Sequence, residues 1–168
     1  MSEPEVWLRG PVAGYDPMVM PMVHALLQVK EDFARLAGTV PEAHVWLRPG
    51  GAASIGFHVR HTAGALDRLY GYARGEGLSD AQKAYLRTEG VPGDPPASMA
   101  ALVAEATATI DRALEQLRAT SPAALRDERK VGRAGLPSTV LGLLVHGAEH
   151  SIRHAGQAIT TAIILKGA

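Results

Sequence analysis

The sequence predicts an all-α protein: a four-helix bundle with one short extra helix, in a single domain spanning residues 1–168. Four long segments repeat apolar residues at three- and four-residue spacing, which is the spacing of one helix face. Loops rich in proline and glycine separate these segments, and only short stretches around Val45 and Val131 alternate as a strand would. With 168 residues, 46% of them hydrophobic, the chain can bury one core without disulfides.

The first two long helices are predicted over residues 18–37 and 55–74. Pro17 and Pro21 lie near the start of the first helix, where a missing N–H costs least, so that helix could begin only at Pro21. Ser54 is a candidate N-cap for the second helix, and a glycine-rich GEG sequence ends it. Apolar residues mark one face of each helix, so both are expected to pack on a core.

Three further helices are predicted, each opened by a serine, which caps helix N-termini well. A short helix covers residues 79–88, and residues 98–119 form the most clearly amphipathic helix of the chain. Residues 120–137 contain two prolines and two glycines among many charges, which is typical of a surface connection. Ser138 is expected to open the last helix, which ends at Gly167.

Composition excludes several classes of function. The chain has 17 Lys and Arg against 17 Asp and Glu, and no basic stripe that would bind nucleic acid. A net charge of zero gives little repulsion between copies, which favours a homodimer. The absence of cysteine leaves nitrogen and oxygen as ligands for any metal. Neither a signal sequence nor a membrane span is apparent, so a cytoplasmic protein is expected, with no membrane partner.

The histidines are the most informative residues for function. His146, His150 and His154 are spaced by four, so their rings lie one turn apart on one helix face, and adjacent pairs can share a metal ion. His58 and His61, spaced by three on the second helix, could approach them across a bundle core. Three neutral imidazoles with open positions form a catalytic type of metal site. Imidazole does not select one metal, and zinc and nickel are our expectations.

A structural interpretation of these histidines stands beside the metal one. A histidine on a helix is more often a surface or hydrogen-bonded residue than a ligand, and we assign that role to His24 and His44. Spacing by four also arises by chance. From spacing alone, the pair His150 and His154 is therefore compatible with a metal site and with a plain helical core.

Two stretches resemble a known family. HGAEHSIRHAGQ at 146–157 resembles the C-terminal signature of the DinB/YfiT-like family of metal-dependent enzymes, in which a final-helix HxxxH pair precedes Gly-Gln. SIGFHVRHTAGALDRL at 54–69 resembles that family's second helix, where one histidine supplies the remaining ligand. The matching residues are His150, His154, Gly156 and Gln157 in the first stretch and His61 in the second.

The resemblance extends from the first helix to the end of the chain. It implies a bundle in up-down-down-up order, frequent homodimers, and a divalent metal ion held by His61, His150 and His154. His58 or His146 could replace one of these ligands or lie behind them. Glu149 could orient a ligand ring, but it points about 100° away from His150 on the helix. We therefore expect Glu149 to form a salt link with Arg153 or Arg60.

The function implied by the resemblance is that of a metal-dependent hydrolase, or of a transferase that uses a low-molecular-weight thiol. The substrate would be a small molecule, and no catalytic side chain can be named from the sequence. The alternatives are a non-catalytic metal- or ligand-binding bundle involved in stress response, and a helical bundle that binds no metal. Trp46, Phe57 and Tyr70 are candidates for lining a substrate pocket.

Four further residues have structural interpretations. Asp67 and Arg68 are expected on a solvated face or in a salt bridge between helices. Gly156 is expected to allow close helix packing, because glycine inside a helix otherwise costs about 1 kcal/mol. Gln157 could bond a ligand histidine or a partner helix.

Overall fold

A computed structural model describes residues 3–167; the outermost residues of the predicted domain, Met1, Ser2 and Ala168, lie outside it. The described chain is mostly helical, with one small sheet of two strands. The α-helices are α1 (Met20–Thr39), α2 (Ile55–Ala73), α3 (Asp80–Thr88), α4 (Met99–Ala119) and α5 (Val140–Gly167). The strands are β1 (Glu128–Val131) and β2 (Leu136–Thr139), and short 3-10 helices cover Val6–Arg9, Glu42–His44, Pro49–Gly51 and Pro122–Arg126.

Three of the predicted helix starts are confirmed by their capping hydrogen bonds. The Ser54 hydroxyl accepts from the third residue of α2, and the Ser98 hydroxyl does the same for α4. Ser79 and Gln82 form a reciprocal capping box at the start of α3. Each serine satisfies an N–H that has no partner within its own helix.

The connection before α5 differs from its prediction. We expected no strand there, but β1 and β2 pair antiparallel, with Glu128 opposite Thr139. Ser138 lies in β2 opposite Arg129 and does not open α5. That helix begins at Val140, and the Thr139 hydroxyl accepts from the Gly142 N–H at 3.0 Å. The sequence alternates only briefly around Val131, and strands of four residues, half of them exposed, are too short for such a stretch to indicate a strand.

The four long helices surround a common core. Helices α1 and α2 each pack against both α4 and α5. The largest fully buried side chains come from all four helices and include Leu26, Phe33, Leu66, Tyr70, Ile110 and Leu144. Burying apolar area of this kind is the main stabilising contribution to the fold. In the described part of the chain, no helix is both long and apolar enough to cross a membrane.

Helices α2 and α5 run antiparallel and approach each other closely. His58 near the start of α2 contacts His154 on α5, whereas Tyr70 near the end of α2 donates its hydroxyl to the Leu144 carbonyl at 3.5 Å. Gly147 allows this approach, since a Cβ there would lie 2.7 Å from the Tyr70 ring. This pairing brings the histidines of the two helices together.

Candidate metal centre

His61, His150 and His154 form a cluster between α2 and α5. Each offers one ring nitrogen, and the three nitrogens lie within 4.8 Å of one another. The Nε2 atoms of His61 and His150 are 3.0 Å apart. Ligand nitrogens about 2.0–2.1 Å from a tetrahedral zinc ion lie about 3.3 Å apart. The cluster is therefore compact enough to hold a divalent ion after small side-chain movements.

Glu89, at the C-terminal end of α3, completes the surroundings of His61. One carboxylate oxygen, Oε2, lies 2.7 Å from His61 Nδ1, and the other, Oε1, accepts from Arg68 at 2.6 Å. The carboxylate is buried, with Glu89 only 3% exposed. Because the carboxylate accepts at Nδ1, the Nε2 of His61 is left to face the other two histidines.

His58 lies behind His154. Their Nδ1 atoms are 3.0 Å apart, and both rings are largely buried. This contact leaves the Nε2 of His154 as the nitrogen that is free of His58. His58 was expected either to replace a ligand or to lie behind the ligands. In the structure it lies behind them, in contact with the His154 ring.

Burial keeps His58, His150 and His154 neutral at physiological pH. Burial, followed by the neighbouring His61 ring, lowers the pKa of His150 to about 4. The same two causes, in the same order, lower the pKa of His154 to about 3 and also lower the pKa of His58. A neutral imidazole has the lone pair that a metal ligand requires, so these rings need not lose a proton to bind a cation at pH 7.

Phe57 forms one apolar wall of the cluster. Its ring stacks on His61 with centroids 5.2 Å apart and an interplanar angle of 15°. It also meets the His154 ring edge-on at 6.3 Å. This wall removes solvent from one side of the cluster and fixes the orientation of His61.

The other aromatic candidates lie elsewhere. Tyr70 is 2% exposed and belongs to the core, between α2 and α5. Trp46 covers Gly56, where a Cβ would lie 2.9 Å from the indole, and its Nε1 donates to the Ala97 carbonyl at 2.9 Å. Trp46 thus fastens the chain before α2 to the start of α4.

The three remaining histidines, and Glu149, have structural roles. His146 is half exposed and lies 3.2 Å from Glu149, which accepts from Arg153 Nε at 3.1 Å, so the predicted salt link with Arg153 is confirmed. His24 contacts the Gly10 carbonyl at 3.0 Å, and His44 ends a short 3-10 helix.

The expectation for Gly156 is wrong. Nothing lies within 4 Å of a Cβ built there, so the glycine serves no close packing in the described chain. Gln157 beside it is exposed on α5.

Arg68 forms the predicted salt bridge between helices, with Glu89 as its partner. Asp67 accepts a hydrogen bond from Gln82 on α3.

Sequence reasoning missed Glu89. Glu149 was considered because it adjoins His150 in the chain, but the carboxylate that contacts a ring of the cluster is that of Glu89, 28 residues from His61. One signal was available: Gly64 lies inside α2, where glycine is unfavourable, and a Cβ there would collide with the Glu89 carboxylate and lie 2.7 Å from the Tyr85 ring.

The donor set fits a divalent ion of intermediate softness. Three imidazoles on two packed helices, all at least partly buried, are ligands that suit zinc, nickel, copper or iron. Within residues 3–167, His150 Nδ1 is the buried side-chain atom that has no hydrogen-bond partner. The other nitrogen of this ring, Nε2, is the one that faces His61.

Comparison with known proteins adds a family match. A family model described as the DinB superfamily matches residues 25–158. The matched region includes all three clustered histidines and Glu89. A search of curated proteins finds no match.

Proposed function

The chain belongs to the DinB superfamily, and on this premise we propose that it is a metal-dependent enzyme whose divalent ion is held by His61, His150 and His154. The observation that carries the proposal is the convergence of three ring nitrogens from α2 and α5 within 4.8 Å. Family membership and this geometry both favour a metal centre.

We also propose that the chain is one domain, a four-helix bundle in up-down-down-up order. Supporting contacts give the helix directions: the Glu42 carboxylate after α1 accepts from the Met99 N–H at the start of α4, so these helices run antiparallel. Gln116 near the end of α4 donates to the Tyr70 carbonyl near the end of α2, which favours a parallel pair. The antiparallel pairing of α2 with α5 completes the order.

The reaction is proposed to be hydrolysis or transfer of a low-molecular-weight thiol to a small-molecule substrate. A bound zinc or nickel ion would supply Lewis acidity, which favours deprotonation of water or of a thiol near neutral pH. Three protein ligands leave positions for these reactants, as in catalytic sites and unlike closed structural ones. The protein is proposed to act as a cytoplasmic homodimer, without nucleic acid or membrane partners.

The chain's own side chains would hold and shield the ion. Burial keeps His150 and His154 neutral, the Phe57 ring excludes water from one side, and His58 supports His154 from behind. Because ligands on two packed helices are fixed by the core, the site is preorganised before a substrate arrives. No side chain is assigned as a general base or nucleophile, so a non-catalytic metal- or ligand-binding bundle with a role in stress response is the second candidate.

A reconstitution experiment separates the two candidates. The metal-free protein would be loaded with zinc or nickel and assayed for thiol-transfer and ester or amide hydrolysis. We expect turnover that depends on the metal and is lost in His154→Ala, with His146→Ala as the matched control on the same helix. Metal binding without turnover on any substrate would favour the binding module.

A further inference from the structure

We propose that Glu89 is a positioning residue: its carboxylate holds His61 in the Nδ1–H tautomer and so presents Nε2 to the metal centre. Arg68 is the second member of this device, since it fixes the carboxylate from the opposite side. The inference deepens the proposed function and rests on it for the identity of the bound group. The contacts that support the inference are all between residues of the protein and do not involve the bound group.

The two carboxylate oxygens of Glu89 have separate partners. Oε2 lies 2.7 Å from His61 Nδ1, and Oε1 accepts from Arg68 Nη1 at 2.6 Å. Glu89 is 3% exposed, and the Arg68 side chain is 11% exposed. A buried carboxylate is costly unless it is paired and hydrogen-bonded, and here both conditions are met by partners that also lie on α2. Both partners therefore direct Glu89 toward the cluster.

The space that Glu89 occupies is provided by α2 itself. Gly64 lies in the middle of that helix, one turn from both His61 and Arg68, and an added Cβ would collide with the Glu89 carboxylate. Glycine at a helix interior costs about 1 kcal/mol relative to alanine. Because a side chain at this position would collide with the Glu89 carboxylate, the contact between Glu89 and His61 explains why residue 64 is glycine.

The chain on each side of Glu89 is also anchored. Arg60 donates to the carbonyls of Thr88 and Val91, which flank Glu89. The Arg60 guanidinium lies 4.8 Å from the centre of the Trp46 ring. Helix α3 has no buried residue of its own. Polar contacts to α2 therefore account for much of its docking, and they place Glu89 where it reaches His61.

Glu89→Gln tests the role because Arg68 can only donate hydrogen bonds. Arg68 is expected to take the amide oxygen, which leaves the amide NH2 facing His61 Nδ1. That nitrogen must then accept, so the ring changes to the Nε2–H tautomer and loses the lone pair aimed at the metal. In the double variant Arg68→Met, Glu89→Gln, the amide is free to turn its oxygen toward Nδ1, and the original tautomer is expected to return.

The experiment combines nitrogen-15 NMR of the histidine rings in the metal-free protein with zinc affinity measured by a competing chelator. We expect the Nδ1–H tautomer of His61 in the wild type, the Nε2–H tautomer with about 10- to 100-fold weaker zinc binding in Glu89→Gln, and partial recovery of both in the double variant. Glu149→Gln, which removes an exposed carboxylate beside the cluster, is the matched control and should bind zinc like the wild type.

Failure of the inference about Glu89 and failure of the proposed function give different results. If Glu89→Gln keeps the Nδ1–H tautomer and wild-type zinc affinity, Glu89 does not position His61 and the inference is overturned. An Nε2–H tautomer in the metal-free wild type would overturn it without any variant. If the wild type binds no metal, the proposed function fails, while the tautomer still decides what Glu89 does to His61.

Discussion

His61 on α2 and His150 on α5 present their Nε2 atoms to each other at 3.0 Å, although 89 residues separate them in the chain. Two nitrogen lone pairs cannot face each other at this distance without a proton or a cation between them. Glu89 contacts the other nitrogen of His61, so Nε2 is the nitrogen of that ring that is directed at His150.

Removing one clustered ring should abolish high-affinity metal binding and leave the fold intact. For His150→Ala, the loss of zinc affinity should exceed the roughly 100-fold that removing an outer hydrogen-bond partner of a ligand causes. Titration calorimetry measures the affinity, and circular dichroism checks helix content. His146→Ala, one turn earlier on α5 and half exposed, is the control. Equal affinities for the two variants would exclude His150 as a ligand.

Gly64→Ala should damage both stability and metal binding. The new Cβ would collide with the Glu89 carboxylate and lie 2.7 Å from the Tyr85 ring, and overpacking of this kind costs about 1–3 kcal/mol. Urea unfolding measures the loss. Gly156→Ala is the matched change on α5, where nothing lies within 4 Å, and it should raise the free energy of unfolding by up to about 1 kcal/mol. A neutral Gly64→Ala would contradict the tight contact with Glu89.

The metal-free protein should lose stability in mild acid. The pKa of His150 is lowered to about 4 and that of His154 to about 3, and the pKa of His58 is also lowered. The unfolded chain takes up these protons near pH 6.5, but the native state does so only well below that value. Their contribution is therefore fully present above pH 6.5 and falls as the pH decreases toward 4.

Urea unfolding of the metal-free protein at pH 7.5 and pH 5 measures this effect. The decrease should be smaller in His150→Gln, which lacks one of the buried titrating rings, and unchanged in His146→Ala. A free energy of unfolding that is the same at both pH values would show that these rings are not buried in neutral form.

Thr139→Ala should destabilise the start of α5. The Thr139 hydroxyl accepts from the Gly142 N–H at 3.0 Å, and loss of a cap costs about 1 kcal/mol. Thermal or urea unfolding measures this cost, and Thr160→Ala, at an exposed position in the interior of α5, is the comparison. If the two variants were equally stable, the hydroxyl would not be the cap of this helix.

The helices could be predicted because their information is local. Ser54, Ser79 and Ser98 cap helices at the predicted positions, and apolar spacing identified the faces that pack on the core. The hairpin of β1 and β2 could not be predicted, since a brief alternation around Val131 does not distinguish a four-residue strand from a surface loop.

The histidines of the candidate site were predictable, but their environment was not. Spacing by four placed His150 and His154 on one face of α5, and the family resemblance selected His61 from α2. Glu89 could not be found from spacing, because it reaches His61 through the docking of α3 on α2. The Gly64 position, unfavourable in a helix without such a neighbour, is the local trace that this contact leaves in the sequence.

The most direct test of the central claim is the metal content of the purified, tag-free protein, measured by inductively coupled plasma mass spectrometry beside a variant with His61, His150 and His154 all replaced by alanine. We expect about one zinc or nickel ion per chain in the wild type and none in the variant, with helix content preserved in both. No bound metal in the wild type, even after incubation with divalent ions, would contradict it.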